Sequence, residues 1–161
     1  MNWAFVVLAL VILQRLGELV FSARNTAALR AKGWHEEGAS HFPLIVAFHV
    51  MWLAGLLLLA PKAQVNWWLV AVFAVLQALR VWVLATLGRR WTMRVMVKSG
   101  ERLVAAGPYR YFNHPNYVVV ALEIFILPLA FGFYLYALVG GLINLAILAY
   151  RIRVENAALR G

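Results

Sequence analysis

Polar and apolar positions divide this chain into long apolar runs separated by short basic connections. A membrane-spanning helix needs about 20 mostly apolar residues, and the pattern predicts five such segments. They run near Trp3–Phe21, Phe42–Ala60, Trp67–Leu87, Val118–Phe133 and Tyr136–Tyr150. The last two are short and joined by a tight turn, so they read as a helical hairpin, with Pro128 expected to kink its first arm. The expected fold is all-α and integral to the membrane, a single domain whose chemistry lies in residues 88–161. The first segment does not read as a cleavable signal peptide. It has no basic leader, and Gln14, Arg15 and Glu18 interrupt its apolar stretch.

Composition narrows the class. Hydrophobic residues make up 65% of the 161 and charged residues 13%, against about 45–50% and about 25% in a soluble domain. Mean hydropathy is +0.80. There is no cysteine and no aspartate, which excludes disulfides, thiolate zinc sites, Cys nucleophiles and Ser-His-Asp triads. The net charge of +9 does not read as a nucleic-acid footprint, because no basic stripe lies outside the short connections.

The charge is instead sorted by side. Arg24, Arg30 and Lys32 fall in the first connection. Arg89, Arg90, Arg94, Lys98, Arg102 and Arg110 fall in the third, and Arg151, Arg153 and Arg160 near the C-terminus. The opposite side has only Lys62. With five spans, this places the N-terminus outside and the C-terminus in the cytoplasm. Trp3, Trp67, Trp68, Trp91, Tyr134 and Tyr136 stand at span ends, where interfacial anchors are expected.

Ionisable groups inside a bilayer demand partners. Arg15 and Glu18 are three apart and can pair along one helix face. Gln77 and Arg80 share a face, and Arg80 is expected to seek Glu123 or Glu18 across the bundle. His49 reads as a hydrogen-bonded core histidine. His35, His41, His49 and His114 show no metal-ligand spacing.

Two patches carry candidate chemistry. Gly107-Pro108-Tyr109-Arg110-Tyr111-Phe112-Asn113-His114-Pro115-Asn116-Tyr117 is a rigid aromatic turn before a membrane helix. It reads either as a ligand-binding turn or as an interfacial belt with a Pro-initiated helix. Arg151-Ile152-Arg153-Val154-Glu155-Asn156 ends the last helix, with Arg151 and Glu155 at i, i+4. That patch reads either as a site or as a basic helix end with a solvated glutamate.

Together these patches resemble the isoprenylcysteine carboxyl methyltransferase family. The family pattern is Gly-x-Tyr, then Arg-His-Pro-x-Tyr, a helical hairpin, and Arg-Ile-x-x-Glu-Glu. Here it stands as Gly107-Pro108-Tyr109, His114-Pro115-Asn116-Tyr117 and Arg151-Ile152-x-x-Glu155, with Asn113 and Asn156 replacing the family's Arg and second Glu. Gln14-Arg15-x-x-Glu18, Arg24-Asn25 and His41-Phe42-Pro43 resemble its small bacterial branch, whose members methylate alkylpyrone-type lipids.

The resemblance implies a cytoplasmic S-adenosylmethionine pocket between the long connection, the hairpin and the C-terminal segment. It implies cofactor contacts at Leu103, Val104, Tyr109, His114, Pro115, Asn116, Tyr117 and Glu155, with Glu101 and Arg102 in the same stretch. Arg151 is implied to orient the substrate. The expected activity is O-methylation of a lipophilic small molecule, an isoprenylcysteine-like carboxylate or an alkylpyrone- or alkylresorcinol-type oxygen, in a bacterial inner membrane. Two other functions fit a chain of this class. One is an NADPH-dependent reductase of the sterol-reductase type, with Arg89, Arg90, Arg94 and Arg102 as its phosphate site. The other is a non-enzymatic membrane subunit.

Overall fold

The computed structural model describes residues 2–102 and 104–158. Five helices dominate it: α1 (Trp3–Arg30), α2 (Phe42–Leu59), α3 (Trp67–Leu87), α4 (Pro115–Ala130) and α5 (Tyr134–Ala158). Four of them lie in segments long and apolar enough to cross a membrane. The protein is therefore an integral membrane protein. At 16 residues α4 is shorter, about 24 Å at 1.5 Å per residue.

Two short strands depart from the all-α expectation. β1 (His35–Glu37) and β2 (Val95–Val97) pair antiparallel, with Glu36 opposite Met96. The α1–α2 connection is thereby tied to the long α3–α4 connection.

Hydrogen bonds sort the connections into two faces. The Asn2 amide donates to the Ala60 carbonyl at 2.8 Å. The Gln64 and Asn66 amides donate to the carbonyls of Phe131 and Ala130. The N-terminus, the α2–α3 connection and the hairpin turn thus share one face. The ribbon and the α3–α4 connection lie at the other ends of the same helices, and the 16-residue α4 runs between the two faces.

Local chemistry fixes the helix ends. Asn66 caps α3 by accepting from Trp68 and Leu69, a contact of about 1 kcal/mol. Pro115 opens α4, where its missing N–H costs nothing. Pro128 stands in the last turn of α4, so the helix ends beside it rather than kinking midway. The first and last helices run past the apolar stretches: α1 carries Arg24 and Arg30 on its final turns, and α5 carries Arg151 and Glu155.

The interior reverses the soluble pattern. On α5 the buried stripe is Ala137, Gly140, Gly141, Asn144, Leu148 and Arg151, while Leu135, Leu138, Leu142 and Leu145 face outward. Small and polar residues inward with large apolar ones outward is the packing of a bundle in lipid.

At the centre, α1, α3 and α4 share a closed charge cluster. Arg80 donates its Nε and Nη2 to the two Glu18 oxygens at 2.5 and 2.6 Å, and its Nη1 to Glu123 at 3.0 Å. Arg15 reaches Glu18 at 3.0 Å and Glu123 at 2.6 Å. Gln14 and Gln77 donate to the remaining acceptor positions. The expected Arg15–Glu18 pair exists, and Arg80 takes both candidate partners at once. His49 is satisfied within its own helix, 2.9 Å from the Ile45 carbonyl.

Trp3, Trp67, Trp68 and Tyr134 are exposed at helix ends as anchors should be. Trp91 is not. It is buried against α1, stacking on Phe21 at 5.9 Å, and its carbonyl accepts from Asn25 at 2.8 Å. Tyr136 is half-buried and donates its hydroxyl to the Trp52 carbonyl.

Candidate functional site

One pocket gathers the chemistry-bearing residues of the second half of the chain. The start of the α3–α4 connection supplies Arg90, Trp91, Thr92 and Arg94, and β2 supplies one wall. The aromatic turn contributes Tyr109, Asn113 and His114, α4 contributes Asn116 and Tyr117, and α5 contributes Arg151 and Glu155.

The turn reaches the site because it docks on α3. Gly107 has φ +53°, and a Cβ there would lie 2.6 Å from Thr86 Oγ1. Only glycine brings the backbone that close in that conformation. Pro108 is then buried, and a short 3₁₀ turn over Gly107–Arg110 aims Tyr109 into the pocket. Burial, with the nearby Glu155 carboxylate, holds the Tyr109 phenol above its ordinary pKa. A raised acid stays protonated to higher pH, so Tyr109 is a neutral donor at physiological pH.

Arg151 and Glu155 share a helix face but do not pair directly. The Tyr117 hydroxyl stands between them, accepting from Arg151 Nε at 2.7 Å and donating to Glu155. A second Arg151 nitrogen, Nη2, donates to the Met93 carbonyl. Arg151 is 7% exposed, and no described carboxylate forms a salt bridge with it. His114 stacks on the Tyr117 ring at 5.3 Å, and its Nε2 lies 3.3 Å from Asn156 Oδ1. The Arg151 guanidinium lies 5.3 Å from the same ring's centroid.

Two buried polar atoms of lining residues have no partner among the described residues. They are Asn116 Oδ1, an acceptor, and Trp91 Nε1, a donor. Leaving such groups unpaired costs about 1–3 kcal/mol each.

Not every residue named from the sequence reaches this pocket. Tyr109, His114, Asn116, Tyr117, Arg151 and Glu155 line it together. Pro115 is buried behind them as the first residue of α4. Glu101 and Arg102 are exposed outside it. They touch its wall only through Arg90, which donates to the Glu101 carboxylate at 2.6 Å and to the Arg102 carbonyl at 2.9 Å. Val104 is half-buried and does not line the pocket. Leu103 lies outside the described residues.

Conversely, Trp91, Thr92, Val95, Met96 and Val97 line the pocket without having been candidates. The β-branched pair flanking Met96 was the available signal, too short to stand out as a strand. Asn113, a departure from the family pattern, also lines the pocket.

The fold is an apolar helical bundle of a membrane protein with a polar pocket against one set of connections. The family model of the isoprenylcysteine carboxyl methyltransferase (ICMT) family matches residues 68–161, so the chain belongs to that family and is methyltransferase-like. It is 35% identical over 161 residues to the uncharacterized protein YpbQ of Bacillus subtilis (strain 168), covering 97% of this chain and 96% of the relative. An uncharacterized protein of Haemophilus influenzae is 28% identical over 158 residues, covering 90% and 88%. No solved structure matches the chain.

Proposed function

We propose that the protein is an S-adenosylmethionine-dependent O-methyltransferase acting on a lipophilic oxygen-acid acceptor at the membrane surface. One observation carries this reading. Arg151 is a buried guanidinium whose hydrogen-bond partners, the Tyr117 hydroxyl and the Met93 carbonyl, are neutral. It stands one helical turn from a carboxylate, Glu155, on the same pocket wall. A buried charge without a counter-charge is costly, and an anionic acceptor relieves that cost.

The residues present fit the cofactor. It carries an ammonium and an adenine with both donors and acceptors. Glu155 is the pocket's anion for the ammonium. The unpaired Asn116 Oδ1 and Trp91 Nε1 supply one acceptor and one donor. Tyr109 offers its ring, whereas the Tyr117 ring is already engaged by His114 and Arg151. When bound, S-adenosylmethionine supplies an electrophilic methyl group on a sulfonium.

The chain's own residues orient and desolvate. Arg151 holds the acceptor oxygen, and Tyr117 keeps that guanidinium from collapsing onto Glu155. Trp91, Val95 and Val97, all buried, wall the site from water. Transfer to an oxygen anion neutralises two charges, which a poorly solvated site favours. An acceptor that arrives ionised needs no general base, so alignment is the main task, worth up to about 7–11 kcal/mol.

The reductase reading fits less well. Of its four phosphate cations, Arg89 and Arg102 do not line the pocket, and Arg90 is bound to Glu101 on its rim.

Transfer of labelled methyl from S-adenosylmethionine into a lipid extract by the purified protein, with mass identification of the product, tests the proposal. S-adenosylhomocysteine is expected to raise the melting temperature, with about 2.7 kcal/mol of stabilisation at a hundredfold excess over Kd. His114→Ala should abolish that shift. Stabilisation by NADPH and not by S-adenosylhomocysteine would establish the reductase instead.

The proposed orientation puts the pocket and C-terminus in the cytoplasm, where the cofactor is made. A reporter active only in the cytoplasm, fused after Gly161, should work, and a periplasmic reporter should be silent. The opposite pattern would reverse the orientation.

A further inference from the structure

Three arginines line the pocket, and two are neutralised by glutamates. They are neutralised differently. Arg90 is bound to the Glu101 side chain and the Arg102 carbonyl on the outer rim. Arg94 is held from the other half of the chain. Its Nη1 donates to Glu36 Oε1 at 2.5 Å, and its guanidinium lies 4.1 Å from the centroid of the Phe42 ring. Glu36 is itself held by Arg30 at 2.6 Å, and its side chain is 8% exposed. The ribbon sets Glu36 opposite Met96, two residues beyond Arg94.

We propose that Arg94 is a second acceptor-binding cation beside Arg151, and that Glu36 and Phe42 of the α1–α2 connection position it. This rests on the methyltransferase reading. The two arginines meet at one wall, because Arg151 Nη2 donates to the carbonyl of Met93, the residue before Arg94. A guanidinium has five N–H donors, and Glu36 takes one from Arg94. Both arginines line the pocket and carry N–H donors beyond those contacts. Two guanidiniums on one pocket suit an oxyanion whose charge is spread over two oxygens, a carboxylate or the enolate of a β-dicarbonyl.

Glu36 and Phe42 lie outside the matched residues 68–161. The acceptor side of the pocket is thus finished by a part of the chain beyond that match. The bound carboxylate and the aromatic face fix the rotamer of a long side chain that would otherwise lose entropy on binding. Arg94 acts on the acceptor directly, and Glu36 and Phe42 act through Arg94.

The test uses the full chain purified in detergent and two acceptor probes, a farnesylated cysteine carboxylate and a long-chain 4-hydroxy-2-pyrone. Arg94→Met keeps the apolar stem and removes the charge. It should raise KM for the methylated probe at least tenfold, the equivalent of about 1.4 kcal/mol. The affinity for S-adenosylhomocysteine should stay within about twofold of the parent. Arg94→Lys should recover part of the loss.

Glu36→Gln frees Arg94 without removing it. It should change KM for the methylated probe while cofactor affinity holds. That variant also tests the inference should Arg94→Met fail to fold. Unchanged KM in both variants would overturn the inference. So would cofactor affinity falling in step with KM, since a merely structural ion pair predicts that. Failure of the parent protein to bind S-adenosylhomocysteine would overturn the methyltransferase reading itself. Binding without methylation of either probe would overturn only the acceptor class inferred here.

Discussion

Glu123→Leu is expected to destabilise the folded protein by about 3–5 kcal/mol, among the largest losses available to a single substitution in this chain. Glu123 is 1% exposed, and its two oxygens accept from Gln77 at 2.8 Å, Arg80 at 3.0 Å and Arg15 at 2.6 Å. Leucine fills the volume but leaves two guanidiniums sharing the single carboxylate of Glu18. Removing one partner of a buried charge set costs far more than the set contributes as a whole. The quadruple replacement Arg15→Met, Glu18→Leu, Arg80→Met and Glu123→Leu should therefore recover most of the loss. Unfolding in mixed micelles of increasing denaturing-detergent fraction measures both. Equal stability of Glu123→Leu and the parent would show that the cluster stores no such energy.

That cluster also shows how far the sequence was readable. Charges inside apolar segments are conspicuous, so Arg15, Glu18, Arg80 and Glu123 stand out without any structure, and the i, i+3 pairing of Arg15 with Glu18 follows from helix geometry. The choice of Arg80 between Glu18 and Glu123 did not follow. It depends on the lateral packing of α1, α3 and α4, which hydropathy does not encode, and the side chain bridges both.

Helix boundaries in water escaped for a related reason. The hydropathy signal ends at the bilayer edge, but backbone hydrogen bonding continues, so α1 runs on to Arg30 and α5 to Ala158.

The pocket was legible where it is contiguous. His114-Pro115-Asn116-Tyr117 and Arg151–Glu155 are local patterns, and the hairpin brings them together as the turn between α4 and α5 requires. The wall formed by Trp91–Val97 was not legible. Three-residue strands carry little periodicity, and the pairing of β1 with β2 spans about sixty residues. Trp91 illustrates the consequence. Its place after an apolar segment marks an interfacial anchor, yet it is buried and lines the pocket. Glu101 and Arg102, near the site in sequence, do not line the pocket, and both bond Arg90 on its rim.

Arg151 and Glu155 are expected to separate when substituted one at a time, although they share a helix face. A simple ion pair would make both substitutions act alike and mainly on stability. Here the Tyr117 hydroxyl keeps the two groups apart, so each can serve a different ligand. Arg151→Ala should lower kcat/KM for the acceptor by about 100-fold or more, the effect of removing one partner of a desolvated charged contact. Cofactor affinity should remain near that of the parent. Lysine at 151 should recover only part of the activity, because a point charge cannot reproduce the guanidinium fork that engages Tyr117 and Met93 together. Glu155→Gln should weaken cofactor binding first, by about 1.5–3 kcal/mol for a charged hydrogen bond. Tyr117→Phe removes the spacer and leaves both charges in place. At i, i+4 they can then pair directly, so this variant should lose acceptor turnover and cofactor affinity together while remaining folded. Calorimetry with S-adenosylhomocysteine and acceptor turnover at saturating cofactor measure the two arms. Normal values for Arg151→Ala and Glu155→Gln in both assays would reduce the pair to a helix-end contact and remove the basis for the proposed acceptor site.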